Sequence, residues 1–166
     1  LTAKPNAAHK KLAELEQKGI LSAIVTQNID GLHQMAGSKT VYELHGSVHR
    51  NFCQNCGASY DAAWILQTEG VPHCPKCGGL VKPDVVLYEE SLPTETVENA
   101  VTAIAEADVL LVGGTSLAVY PAAGLLRYFS GEHLVVLNRD ATQIDRQAEL
   151  CMREKIGTVL SQISIP

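Results

Sequence analysis

No apolar run in this sequence reaches the roughly 18 residues that a membrane-spanning helix requires. Leu1 opens the chain without an initiator methionine, and without the charged start and apolar core of a secretory leader. The sequence therefore reads as soluble, intracellular and cytoplasmic, with residues expected to precede Leu1. Basic excess is absent too: 13 Lys and Arg stand against 18 Asp and Glu, a net charge of -5, so nucleic acid is not expected as an obligatory partner. A basic protein tail could still be attracted. Internal repeats, low-complexity tracts and a G-x-G-x-x-G fingerprint are also lacking. What remains is 166 residues, enough for one ordinary domain with a small appended lobe.

Chemically capable residues crowd into 26–46, TQNIDGLHQMAGSKTVYELHG, directly after a short apolar run at 20–25. That run, partly β-branched and uncharged, predicts a strand buried on both faces of a parallel sheet. Open α/β sheets bind ligands at the carboxyl ends of their strands. Gln27, Asn28 and Asp30 are thus expected to line a pocket, with Gly31 allowing a tight turn. His33 and His45 follow closely, and imidazole is the side chain that ordinarily exchanges protons near neutrality.

Elsewhere, Ala8, Leu12 and Leu15 mark an amphipathic helix over 5–18, stopped by Gly19. His9 reads as a solvated residue of that helix. Residues 82–88 are extended, led by Pro83, which suggests an edge strand or a segment between lobes; an exposed edge can accept a peptide strand, but a plain core strand is the first expectation. A helix is predicted over 94–107 with Thr94 as N-cap. Residues 108–114, DVLLVGG, read as a second buried strand running into Thr115, Ser116 and a helix opening near Pro121, an edge that favours phosphate. A third strand at 134–137 ends in Asn138, placed to reach a ribose. Cys151 falls in a further strand-like run, its thiol expected to be buried and inert, and 156–163 reads as a closing helix. The fold class is therefore α/β, a Rossmann-like, mostly parallel sheet.

Between residues 50 and 82 the composition shifts to cysteine, glycine and proline. Cys53 and Cys56 form one C-x-x-C and Cys74 and Cys77 another, with 17 residues between them. Two such knuckles close a tetrahedral four-thiolate site with no position left for water or substrate, so the expected metal is one structural zinc ion. Two disulfides or a redox pair are the competing readings; a reducing cytosol and the paired spacing disfavour them. His49 and His73 read as bystanders. The chain divides as 1–49 and 83–166 for the Rossmann-like part and 50–82 for the inserted zinc ribbon.

TQNIDGLH at 26–33, ELHG at 43–46, the two C-x-x-C pairs, KPDVVLYEE at 82–90, GTSLAVYPA at 114–122 and the strand end at Asn138, in this order, closely resemble the sirtuins of bacterial type, NAD-dependent protein lysine deacylases. The resemblance runs from Ala3 onward. It implies His45 as catalytic base, and Gln27, Asn28, Ile29 and Asp30 at the ribose and nicotinamide end of NAD. Gly114, Thr115 and Ser116 would face the phosphates and adjoining ribose, Asn138 the adenosine ribose, and the Cys151 backbone the adenine. Val85, Val86 and Leu87 on one side, with Ala118 and Val119 on the other, would hold an acyl-lysine protein or peptide as an added strand. The intact protein is expected to be a monomer. Glu89 stands where many relatives carry glycine. The family's first strand and G-A-G-x-S loop should precede Leu1, so this chain alone is expected to be inactive. ADP-ribosyl transfer and a zinc-bearing binding module without turnover are the alternatives.

Overall fold

Asn6 starts the first helix by chemistry rather than by hydrophobicity. In the computed structural model, which describes residues 2–118 and 120–164, its side-chain oxygen accepts from the Ala8 and His9 amides at 2.9 and 3.2 Å, and the Asn6 amide donates to His9 Nδ1 at 3.2 Å. Helix α1 (Ala7–Gln17) thus opens with a reciprocal cap and buries Ala8 and Ala13. At its other end the amides of Ile20 and Leu21 fold back onto the Leu15 carbonyl. That wrap takes up residues the sequence assigned to a strand, leaves Ile20 exposed and shortens strand β1 to Ile24–Thr26. Helix α2 (Leu32–Ala36) then leads to β2 (Val41–Glu43), which lies parallel to β1 in the register Ile24 to Val41 and Thr26 to Glu43.

Strand β3 (Gly46–Cys53) leaves the parallel region and pairs antiparallel with β4 (Ser59–Asp61), which runs into helix α3 (Ala62–Gln67), and with β5 (Val81–Val85). Among the described residues the order β4-β3-β5 makes β5 an edge strand, the reading Pro83 favours, and not the plain core strand expected first. Buried Cys53, Cys74 and Val81, with Tyr60, Trp64 and Ile65 packed against them, are the module's small core.

Helix α4 (Thr94–Ala105) begins one residue earlier than a Thr94 cap would allow: Pro93 occupies the cap position and Thr94 is already helical. Strands β6 (Val109–Gly113), β7 (His133–Leu137) and β8 (Leu150–Met152) form a parallel sheet in that order. A 3-10 turn, Ala122–Tyr128, stands where an α-helix was predicted, and helix α5 (Ile156–Ser161) closes the fold.

The parallel strands do not form one ladder. Among the described residues β1 and β2 make one sheet and β6, β7 and β8 another, so β1 and β6 each lack a partner on one side. Packing joins them instead. Ala100 and Ile104 of α4 form a buried cluster with Leu44 and Leu125, against which Val25 of β1 and Leu110 of β6 both rest. Ala8, Leu137 and Leu160 bind α1, β7 and α5 in a second cluster, each fully buried leucine contributing about 1.5–3 kcal/mol. No helix among the described residues is long and apolar enough to cross a membrane.

Candidate active site and metal centre

The segment after β1 is held by its carbonyls. His45 Nδ1 lies 2.9 Å from the Gln27 carbonyl, the Val48 amide donates to the Ile29 carbonyl at 3.1 Å, and His49 Nε2 lies 2.9 Å from the Asp30 carbonyl. A carbonyl oxygen only accepts, so the His45 hydrogen bond is donated from Nδ1, and Nε2 takes no part in it. Within the loop the Asn28 amide donates to Thr26 Oγ1 at 3.1 Å and the Leu32 amide to Asp30 Oδ1 at 3.0 Å. Gly31 adopts a left-handed φ of 66°, and a Cβ there would stand 2.8 Å from the His49 ring, which satisfies the turn expected of it.

The end of β5 meets His45 directly. The Val86 amide donates to the His45 carbonyl at 3.1 Å, and Gly46 pairs with Val85 so closely that a Cβ at 46 would stand 1.9 Å from the Asp84 carbonyl oxygen. Val85 and Val86 are half-buried, Leu87 is exposed and Tyr88 is fully so. Glu89 has a φ of 71°, a left-handed conformation that glycine adopts without strain. Across the site, Thr115 Oγ1 reaches Gln27 Oε1 at 3.5 Å, joining the ends of β1 and β6. Gly114 is left-handed, and Thr115 and Ser116 accept from the Leu117 and Ala118 amides through their hydroxyls. Val119 lies outside the described residues.

Farther along the same edge, Asn138 donates from Nδ2 to the Asp140 carbonyl at 2.9 Å, and Arg153 donates to the Asn138 carbonyl at 3.1 Å. Cys151 pairs in register with Val136 on β8, but its thiol is exposed rather than buried. Among the described residues β8 is the last strand of its sheet, so one of its edges has no ladder to cover it. His9 departs from expectation the other way: it is half-buried, its ring 4.7 Å from that of His33.

Cys53, Cys56, Cys74 and Cys77 bring their sulfurs within 4.8 Å of one another. The pairs Cys53–Cys77 and Cys56–Cys74 are 3.4 and 3.7 Å apart, against about 3.8 Å between ligands of a tetrahedral ion with 2.3 Å bonds to sulfur. The Tyr60 hydroxyl, 3.0 Å from Cys74 Sγ, holds that thiol down at about 6. Cys77, although the Gly79 amide donates to it, is pushed up to about 12 by the hydrogen bond to Cys53 and the other sulfurs beside it. Four sulfurs this close cannot all ionise without a cation among them, and a divalent metal answers that demand. His73 turns away to the Gly78 carbonyl, at 3.0 Å from Nδ1, and is no part of the cluster.

Two adjoining cavities, of about 350 and 230 Å³, share His49 and Arg50 and run beside β3 without touching His45. Sequence alone marks His49 as a bystander and does not single out Arg50, because neither lies in a spaced motif and their partners are remote in the chain. Arg50 joins Glu43 at 2.7 Å to Asp84 at 2.9 Å, linking the strand before His45 to the strand after the module.

A Sir2 family profile matches residues 1–121. The NAD-dependent protein deacetylase of Clostridium acetobutylicum is 60% identical over 162 residues, 97% of this chain and 66% of the relative. NAD-dependent protein deacetylase 1 of Pyrobaculum aerophilum is 46% identical over 164 residues, 96% of this chain and 65% of the relative. The chain thus spans 65 to 66% of the length of these two relatives. A solved structure of Sir2 with a p53 peptide and NAD+ superimposes with a TM-score of 0.90 at 41% identity, over 96% of this chain and 69% of the other. Another, with the same score and identity, covers 96% of this chain and 70% of the other and holds 2'-O-acetyl-ADP-ribose with a deacetylated p53 peptide. In sequence and in fold, this chain belongs to the Sir2 family.

Proposed function

We propose that the protein removes acyl groups, acetyl among them, from protein lysines in an NAD-dependent transfer that yields nicotinamide and O-acyl-ADP-ribose. The observation that carries this reading is His45, with Nδ1 committed to the Gln27 carbonyl at 2.9 Å and Nε2 left to act as a base. NAD, when bound, supplies an anomeric carbon that accepts the acyl oxygen and nicotinamide as the leaving group. His45 takes a proton from a ribose hydroxyl and later returns one, the Gln27 carbonyl keeping its ring oriented throughout. Gln27, Asn28, Ile29 and Asp30 bind the nicotinamide and its ribose. Gly114, Thr115 and Ser116 bind the phosphates and adjoining ribose, Asn138 the adenosine ribose and the Cys151 backbone the adenine.

Val85, Val86 and Leu87, opposite Ala118 and Val119, take the acyl-lysine peptide as an added strand. Main-chain pairing of that kind tolerates many side-chain sequences, and the hydrogen bond from Val86 to the His45 carbonyl ties the guest strand's neighbour to the base. Cys53, Cys56, Cys74 and Cys77 hold one structural zinc ion in a module of residues 50–82, inserted between the Rossmann-like parts 1–49 and 83–166. The protein acts in the cytoplasm as a monomer.

The test is mass-resolved turnover of an acetyl-lysine peptide with NAD. It uses this chain beside one preceded by the glycine-rich segment that the family pattern places before Leu1. O-acetyl-ADP-ribose is expected from the extended protein, with His45→Ala lowering its rate by about 100-fold or more. Nicotinamide release without loss of the acetyl group would replace this reading with ADP-ribosyl transfer.

A further inference from the structure

We propose that residues 48–50 are a clamp on the loop 27–30, with His49 as a positioning residue. The β3–β5 ladder pairs Ser47 with Asp84 and Asn51 with Pro83, so three residues of β3 stand where β5 has none. Such a bulge ordinarily leaves polar groups without ladder partners. Here they find partners, and two of them lie in the loop. The Val48 amide donates to the Ile29 carbonyl at 3.1 Å, and His49 Nε2 donates to the Asp30 carbonyl at 2.9 Å. With His45 on the Gln27 carbonyl, donors from the single segment 45–49 hold three of the loop's four carbonyls.

The bulge is itself braced. Ser47 Oγ accepts from the His49 amide at 3.2 Å, and Asn51 Nδ2 donates to the Val48 and Tyr60 carbonyls at 3.2 and 3.3 Å. Both side chains belong to residues only 2% exposed, and polar groups so buried are costly unless bonded. Arg50 fixes the outer side through Glu43 and Asp84. A bulge that merely bent the strand would need neither the buried brace nor the convergence of donors on one loop. Because β3 ends at Cys53, the clamp and the metal centre share a strand.

The geometry of the clamp stands on its own, while its effect on a ligand rests on the reading of 27–30 as the NAD site. The test is hydrogen exchange at residues 28–32, together with calorimetric binding of NAD, in the metal-loaded protein extended as above. The parent is compared with His49→Ala, His49→Phe and His49→Gln. His49→Ala should speed exchange at Asn28 and Leu32 about fivefold and weaken NAD binding by a similar factor, leaving β3 protected. His49→Phe keeps a ring against Gly31 but has no donor and must behave like Ala. His49→Gln, whose amide N–H can reach the same carbonyl, must return both readings to within about twofold of the parent. Unchanged exchange in His49→Ala, or rescue by Phe, overturns the clamp. Faster exchange in Ala and Phe with rescue by Gln, in a parent that does not bind NAD, supports the clamp and removes the functional reading instead.

Discussion

The antiparallel module and the parallel strands solve the same problem with different means. The module between β3 and β5 buries only Cys53, Cys74 and Val81 as its core and exposes Leu66, Val71 and Leu80. So little apolar burial does not hold a sheet together unaided, and four converging thiols supply the cross-link. The parallel strands instead share three buried clusters with α1, α4, α5 and the 3-10 turn. One region depends on a ligand bond and the other on packing. The loop 27–30 between them borrows from both, held by donors on β3 at one side and by Gln27 and Thr115 at the other.

Removing the metal should separate the two regions most strongly. Chelation should unfold the module while the parallel strands keep their structure, because a structural zinc site supplies about 10–16 kcal/mol of folding free energy. The single tryptophan, Trp64, has its ring 4.2 Å from that of Tyr60 inside the module, so its emission reports on that region alone. Loss of the Trp64 signal and of amide protection in 46–53 and 81–85, with protection retained at 134–137, is the expected result. Simultaneous loss everywhere would show one cooperative unit instead. A smaller effect comes from the other side. Leu160→Ala removes a 0% exposed side chain from the cluster joining α1, β7 and α5. It should cost about 2–5 kcal/mol in denaturant melts, leaving the metal content and Trp64 emission of the folded protein unchanged.

The same division explains what could be read in advance. C-x-x-C spacing fixes ligand chemistry within a few residues, and the metal cluster was therefore legible. The helix 7–17 and strands β6 and β7 follow local periodicity and were found within a few positions. Strand β2 was not, because residues 41–43 gain their conformation from pairing with β1, a partner 17 residues away in register. The split of the parallel strands into two sheets was also hidden, since apolar patterning marks a strand without naming its neighbours. In the candidate site, motifs mark His45 and the loop 27–30 as the residues to examine. They do not mark His49, because its role depends on a bulge created by the register of β5, and no property of residues 46–53 announces a break in pairing after Ser47.

The packed half also carries polar groups, and their protonation should change its stability only slightly. His33, between α1 and β2, has a half-buried ring whose Nδ1 is buried without a partner among the described residues. Burial lowers its pKa below the ordinary 6.5, the neighbouring His9 lowers it further, and Asp30 and Glu43 act weakly the other way. His9 is lowered too, chiefly by burial, with Asp30 opposing. A histidine whose folded pKa is depressed binds its proton more readily in the unfolded chain. Its contribution to stability is therefore fully present above about 6.5 and is lost as pH falls through that value toward the folded pKa. Thermal midpoints at about pH 7.5 and 6 should show a drop in the parent that shrinks by about 2 °C in His33→Gln, a change consistent with a partly exposed group. Because acid also reaches the metal thiolates in both proteins, only the difference between the two slopes belongs to His33. Equal slopes would mean that the α1–α2 contact accommodates an imidazolium. The packed half would then be as tolerant of charge as the solvent-facing loop beside it.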